Sequence, residues 1–145
     1  MNPNIEQQDS GVAATPVLTD QQAEGQVRMA AAMQRLHHGR LIYVPGVDWH
    51  FWDGRRWSID DLERSTQYVL KVFRQGLESA SKKLAKAEKL ALSDAAESER
   101  LSKFAERLKS DVRKCQNATA IRGIKEIARS APQFARTPQQ LDSDP

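Results

Sequence analysis

Lysines and arginines at helical spacing are the residues here whose types and positions could do chemistry. Lys71, Arg74, Lys82, Lys86 and Lys89 recur near one face of a long helical pattern, interrupted by Glu78. Arg100, Lys103, Arg107 and Lys114 repeat the arrangement, and Arg122, Lys125 and Arg129 continue it. Cations gathered on one side can neutralise phosphates. Glu88, Glu97, Glu99, Glu106 and Asp111 are interleaved, and several stand one turn from a base, as on a salt-laced helix surface. Spacing alone leaves both readings open.

The second candidate group is aromatic. Trp49, Trp52 and Trp57 are all the tryptophans of the chain, with Arg55 and Arg56 between the last two. Rings beside arginines can stack on bases. Large aromatics also close small cores. One face of such a ribbon can pack while the other binds.

Catalytic chemistry finds little support. No glycine is followed by lysine, so the phosphate-cradling loop that ends in Gly-Lys-Ser/Thr is missing. His37 and His38 are adjacent and point to different sides of a helix; His50 is the remaining histidine. That is too few ligands for a metal site. The single cysteine, Cys115, lies on an apolar stripe, where a thiol is ordinarily small and buried. One cysteine forms no disulfide within the chain, and a reducing cytoplasm fits it. Asp142 and Asp144 resemble paired acids for magnesium only superficially. No cofactor, metal or catalytic residue is expected.

The elements that must position these residues follow from periodicity. Residues 1–18 are polar, small and proline-containing, and read as a disordered tail. A first helix should start at Thr19 or Asp20 and run to His38, with Val27, Ala30, Ala31 and Leu36 near its apolar face, Met29 and Met33 beside it, and Gly39 as its stop. Leu41–Val44 is β-like and is broken by Pro45-Gly46. Asp53-Gly54 between two aromatic runs predicts a two-residue hairpin turn, with His50 facing Trp57 and Trp52 facing Arg55. Ser58 with Asp61 predicts a helix cap, and from Asp60 apolar residues recur at three- and four-residue steps: Leu62, Thr66, Val69, Phe73, Leu77, Ala80, Leu84 and Ala87. A break at Ser93-Asp94 leads to a second stripe of Leu101, Phe104, Leu108, Val112 and Cys115, so the two helices should pair antiparallel. Asn117 or Thr119 should cap a further helix bearing Ile121, Ile124, Ile127 and Ala128. Pro132 ends it, and Thr137-Pro138 reads as one more cap. The expected fold is mainly α: about four helices in a bundle with one small aromatic-rich β-hairpin. The expected organisation is a tail over 1–18, a helical domain over 19–136 and a truncated connecting segment over 137–145.

Charge sharpens the picture. The chain carries +3 overall, but Glu6, Asp9 and Asp20 sit in a base-free beginning and Asp142 and Asp144 in a base-free end. Between them 22 bases face 14 acids, a balance of +8. A basic body favours nucleic acid or an acidic surface. There is no apolar run long enough to span a membrane, and no signal-peptide pattern at the start.

Gly39-Arg40-Leu41-Ile42-Tyr43-Val44-Pro45-Gly46-Val47-Asp48-Trp49-His50-Phe51-Trp52-Asp53-Gly54-Arg55-Arg56-Trp57 resembles the opening of the linker domain of phage and plasmid primase-helicases, the domain named after the poxvirus primase-helicase N-terminal region. The stretch Ile121 to Pro145 is similar to its close, through Ala128-Arg129-Ser130-Ala131-Pro132 and Leu141-Asp142-Ser143-Asp144-Pro145. The resemblance covers roughly residues 25–145. It implies a domain ahead of a superfamily-three helicase, itself a hexameric ring ATPase, in mobile-element DNA replication in a bacterial host. It implies no catalytic residue for the domain. On it the chain reads as a truncated piece that ends before the ATPase.

The expectation is therefore a non-catalytic DNA-binding or linking module. Its partners would be single-stranded or forked DNA and the helicase and primase domains of the parent protein. Lys82, Lys86, Arg100, Lys103 and Arg107 are its candidate DNA contacts, with Trp52 and Arg55 as base-stacking additions. The alternative is a helical protein-interaction or homo-oligomer module that uses the apolar stripes.

Overall fold

The computed structural model describes residues 23–143. The expected tail and the expected cap at Thr19 or Asp20 lie outside the described residues, as does Asp144. Among the described residues, five helices and a three-stranded sheet follow in the order α1 (Gly25–His37), β1 (Leu41–Val44), β2 (Asp48–Trp52), β3 (Trp57–Ile59), α2 (Arg64–Leu90), α3 (Ala95–Cys115), α4 (Ala118–Ala128) and α5 (Pro138–Ser143). The mainly α expectation holds.

α2 and α3 form the antiparallel pair that the stripe spacing predicts. Gly76 meets Val112 and Leu108, Lys83 meets Phe104, and Ser98 donates to the Ala87 carbonyl. As one number rises the other falls, which defines opposed directions. Val69, Phe73, Ala80 and Ala87 are buried against Leu101, Ala105, Leu108, Val112 and Cys115. The break between the helices is where the sequence puts it: the Asp94 carboxylate accepts from the Glu97 amide and starts α3. Asn117 starts α4 in the same way, accepting from Ala120. Thr137 and Gln140 cap α5 reciprocally, each side chain accepting from the other's amide.

Several expectations need correction. α1 buries Arg28, Met29, Ala30, Ala32, Met33, Gln34 and His37, whereas Val27 is exposed and Ala31 only half-buried. The helix touches α2, α3 and α4 together, so its covered surface is wider than one apolar stripe and sits rotated from the expected face. α2 begins at Arg64 rather than Asp60. Asp60 lies ahead of the helix and its two carboxylate oxygens accept from the Arg64 and Ser65 amides. Leu62 is left outside and 73% exposed, and Ser58 donates to Asp53 instead of capping. Ile127 points outward.

The β region is larger than one hairpin. Pro45-Gly46 ends β1 as expected, but with Val47 it turns the chain back into a second strand, and Leu41 to Val44 pair antiparallel with Phe51 to Asp48. The Asp53 turn spans four residues, not two, and the register becomes Trp52 with Trp57, Phe51 with Ser58 and His50 with Ile59. The Asp53 carboxylate is the cause. It accepts from the Arg55 and Arg56 amides and from the Ser58 hydroxyl, while the Asp53 amide donates to the Arg56 carbonyl. Gly54 supplies the positive φ the loop needs. Trp49 packs edge-on against Tyr43 and Phe134 in the core. The segment after α4 covers the β1 edge, since Tyr43 donates to Phe134 and accepts from Arg136.

Candidate nucleic-acid interface

The bases on α2 and α3 meet at one ring. Phe104, half-buried on α3, carries the Lys83 ammonium 5.4 Å from its centroid and the Arg28 guanidinium 5.3 Å away. On its outer side Arg100, Lys103 and Arg107 share with it a shallow hollow of about 250 Å³. On its inner side Lys82 and Lys83 of α2 share with it a deeper groove of about 410 Å³ between α1, α2 and α3. Spacing of three and four residues aligns Arg100, Lys103, Phe104 and Arg107 on one face, and the antiparallel crossing sets Lys82 and Lys83 opposite.

Two of these cations are not idle. Arg100 grips Glu97 through two hydrogen bonds of 2.8 and 2.6 Å, and Lys103 pairs with Glu99 at 2.9 Å. The Arg100 hydrogen bonds hold the Glu97 carboxyl below its usual range, and Lys103 does the same for Glu99. Lys86, one turn beyond Lys82, adds to the field at Glu97.

Trp52 and Arg55 are elsewhere. Arg64, at the first turn of α2, lies over the Phe51 ring at 4.2 Å, which fixes the sheet at that end of the helix. Lys82 stands 18 residues on, roughly 27 Å along the axis. The structure therefore does not bring the two candidate groups together. Trp52 is 37% exposed and meets Trp57 edge-on at 5.3 Å; Arg55 is exposed in the loop.

The remaining candidates for chemistry are in structural roles. Burial raises the Cys115 thiol above its ordinary value, with Asp111 adding to the effect, so it is a poor nucleophile. His37 is buried with its ring tilted against Tyr68, and burial with Lys71 and Arg40 nearby lowers its pKa to about 4. His38 follows the last residue of α1 with extended backbone and is exposed. Among the described residues no group of three histidines, cysteines or acids could hold a metal, and no helix is long and apolar enough to cross a membrane.

The sequence reading missed Arg28, Lys83 and Phe104 as site residues. Arg28 interrupts an apolar stripe with nothing nearby in sequence to mark it. Phe104 reads as plain core until the neighbouring cations are placed.

The fold places the Gly39–Trp57 motif in the sheet and Ile121–Pro132 in and after α4, joined by the α2–α3 pair. The family model of the D5 N-terminal-like domain matches residues 30–145. The chain belongs to the D5 N-terminal-like family. This family is the N-terminal domain of primase-helicase proteins and is not itself their catalytic domain. Neither the curated proteins nor the solved structures offer a match.

Proposed function

We infer that this D5 N-terminal-like domain is a DNA-contacting linker of a phage or prophage primase-helicase. It holds single-stranded or forked DNA beside the parent's helicase and primase domains in the bacterial cytoplasm. The observation that carries the reading is the convergence of Arg100, Lys103 and Arg107 with Lys82 and Lys83 around Phe104. The ring and guanidinium planes suit bases, and the ammonium groups suit phosphates. Exposed carboxylate pairs such as Arg100–Glu97 are worth little in water. A phosphate can displace the carboxylate at small cost.

Fluorescence anisotropy of a labelled single-stranded oligonucleotide, titrated at several salt concentrations, tests this. Binding that weakens steeply with salt is expected. No binding at low salt would overturn it.

A second reading has an observation of its own. Leu70, Phe73, Leu77 and Ile121 line an apolar groove of about 520 Å³ between α2 and the start of α4, and Leu70 is 39% exposed. Such a groove suits a protein-interaction or self-association module. Sedimentation that shows a concentration-independent monomer would count against self-association.

A further inference from the structure

We propose that the groove between α1, α2 and α3 is a phosphate-binding pocket that takes the phosphate of a nucleotide. It deepens the DNA-contact reading by giving that surface a defined anion subsite, but it can stand if that reading fails.

The argument begins with Arg28. Its side chain is buried, and a buried guanidinium needs its N–H groups satisfied. Nε donates to the Ala23 carbonyl at 2.8 Å. Nη1 stands 3.2 Å from an Asp111 carboxylate oxygen, but neither atom gains an aligned hydrogen bond. The cation is thus paired in charge through a buried atom that faces Asp111 and not the groove. It forms part of the wall of the 410 Å³ groove.

The other walls have matching chemistry. Lys82 and Lys83 bring two more positive charges, and Gln75 and Ser79 bring neutral donors. Lys83 is tethered at 3.3 Å to the Ser79 hydroxyl, which holds its ammonium at the groove. Glu78 is the one acid on the lining, so cations outnumber it. The floor is apolar, from Leu36 and Leu108, with the Phe104 ring beside them. A cationic rim over an apolar floor suits an anion that carries a flat organic body. The volume falls within the range of small-ligand sites. A bare carboxylate would leave the floor empty, and an apolar ligand would leave the cationic rim without a counter-charge. A nucleotide phosphate answers both, whether free or at a strand end.

The test uses the full chain with three probes: inorganic phosphate, thymidine 5′-monophosphate and thymidine. Calorimetry reads affinity, and amide shifts in NMR read location. The monophosphate should bind at least tenfold more tightly than thymidine and shift the amides around Arg28, Ser79 and Lys83. The K82Q/K83Q variant, altered at partly or fully exposed positions, should lose about tenfold in affinity. The R113Q/R122Q variant, altered at exposed positions outside both hollows, should retain it. Tighter binding of the monophosphate than of phosphate marks a free nucleotide as ligand. A preference for 5′-phosphorylated over 5′-hydroxyl oligonucleotide marks a strand end. Absence of saturable binding by both phosphate and monophosphate, or shifts confined to another surface, overturns the pocket. Monophosphate binding without oligonucleotide binding keeps the pocket and removes the DNA-contact reading.

Discussion

Arg28 and His37 are both buried on α1 and meet burial in opposite ways. Arg28 stays charged and borrows Asp111. His37 gives up its proton, because burial and the nearby Lys71 and Arg40 lower its pKa to about 4. The unfolded chain titrates this ring near 6.5. Above pH 6.5 both states are neutral and the full stability is present. Between 6.5 and 4 the unfolded chain binds a proton that the folded chain refuses, so stability falls as pH falls. The loss is on the order of 2 kcal/mol by pH 5. Urea midpoints at pH 7 and pH 5 should separate in the parent and converge in His37→Phe, which keeps the ring near Tyr68 and removes the titration. An equal separation in both proteins would clear His37 of the effect. At the exposed pairs the prediction concerns binding. Glu97 and Glu99 occupy the donors of Arg100 and Lys103. The E97Q/E99Q variant should therefore bind single-stranded DNA roughly three- to tenfold more tightly at low salt. Unchanged affinity would mean that these two bases face no phosphate.

At the scale of elements, two glycines mark helix crossings and should behave oppositely. A Cβ at Gly76 would sit 3.1 Å from the Val112 side chain, which is fully buried and has nowhere to go. Gly76→Leu should cost about 2–3 kcal/mol by overpacking the α2–α3 seam. A Cβ at Gly123 would meet only the end of the Gln26 side chain, which is exposed and can swing away. Gly123→Ala should then stabilise by about 0.5–1 kcal/mol, since alanine is the better helix former. Thermal unfolding midpoints decide both, and a destabilised Gly123→Ala would show that Gln26 is held in place. The helices were the legible elements because a long apolar stripe with a capping Asp94 or Asn117 admits one solution. The sheet was less legible. Asp53-Gly54 favours a two-residue turn by dihedral preference, yet the three hydrogen bonds that Asp53 collects from residues 55, 56 and 58 select a longer loop. Those bonds depend on the side chain's aim, which composition does not reveal. The start of α2 was misplaced for a similar reason, since Asp60 caps from outside the helix.

For the molecule as a whole, charge layout decides what DNA can touch. Helical spacing put Arg100, Lys103 and Arg107 on one face correctly. It could not say that α2 would add Lys83 at Phe104, or that the sheet would carry Trp52 and Arg55 to the far end of the helix. That separation makes the two groups independently testable. Changes at sites this far apart, with no shared partner, should add. If the five candidates Lys82, Lys86, Arg100, Lys103 and Arg107 each neutralise one phosphate, the slope of log affinity against log salt should be about −3.5 for single-stranded DNA. Replacing all five with glutamine should bring that slope close to zero. Trp52→Ala should instead lower affinity by about 1–3 kcal/mol if a base stacks there, with the slope intact, because stacking releases no counterion. Arg55→Gln should remove about 0.7 from the slope if it meets a phosphate. Anisotropy titrations at four or five salt concentrations measure all of these. A quintuple variant with the parent's slope would move the DNA contact off the α2–α3 pair altogether. Intact affinity in both Trp52 and Arg55 variants would confine it there and leave the sheet as scaffold.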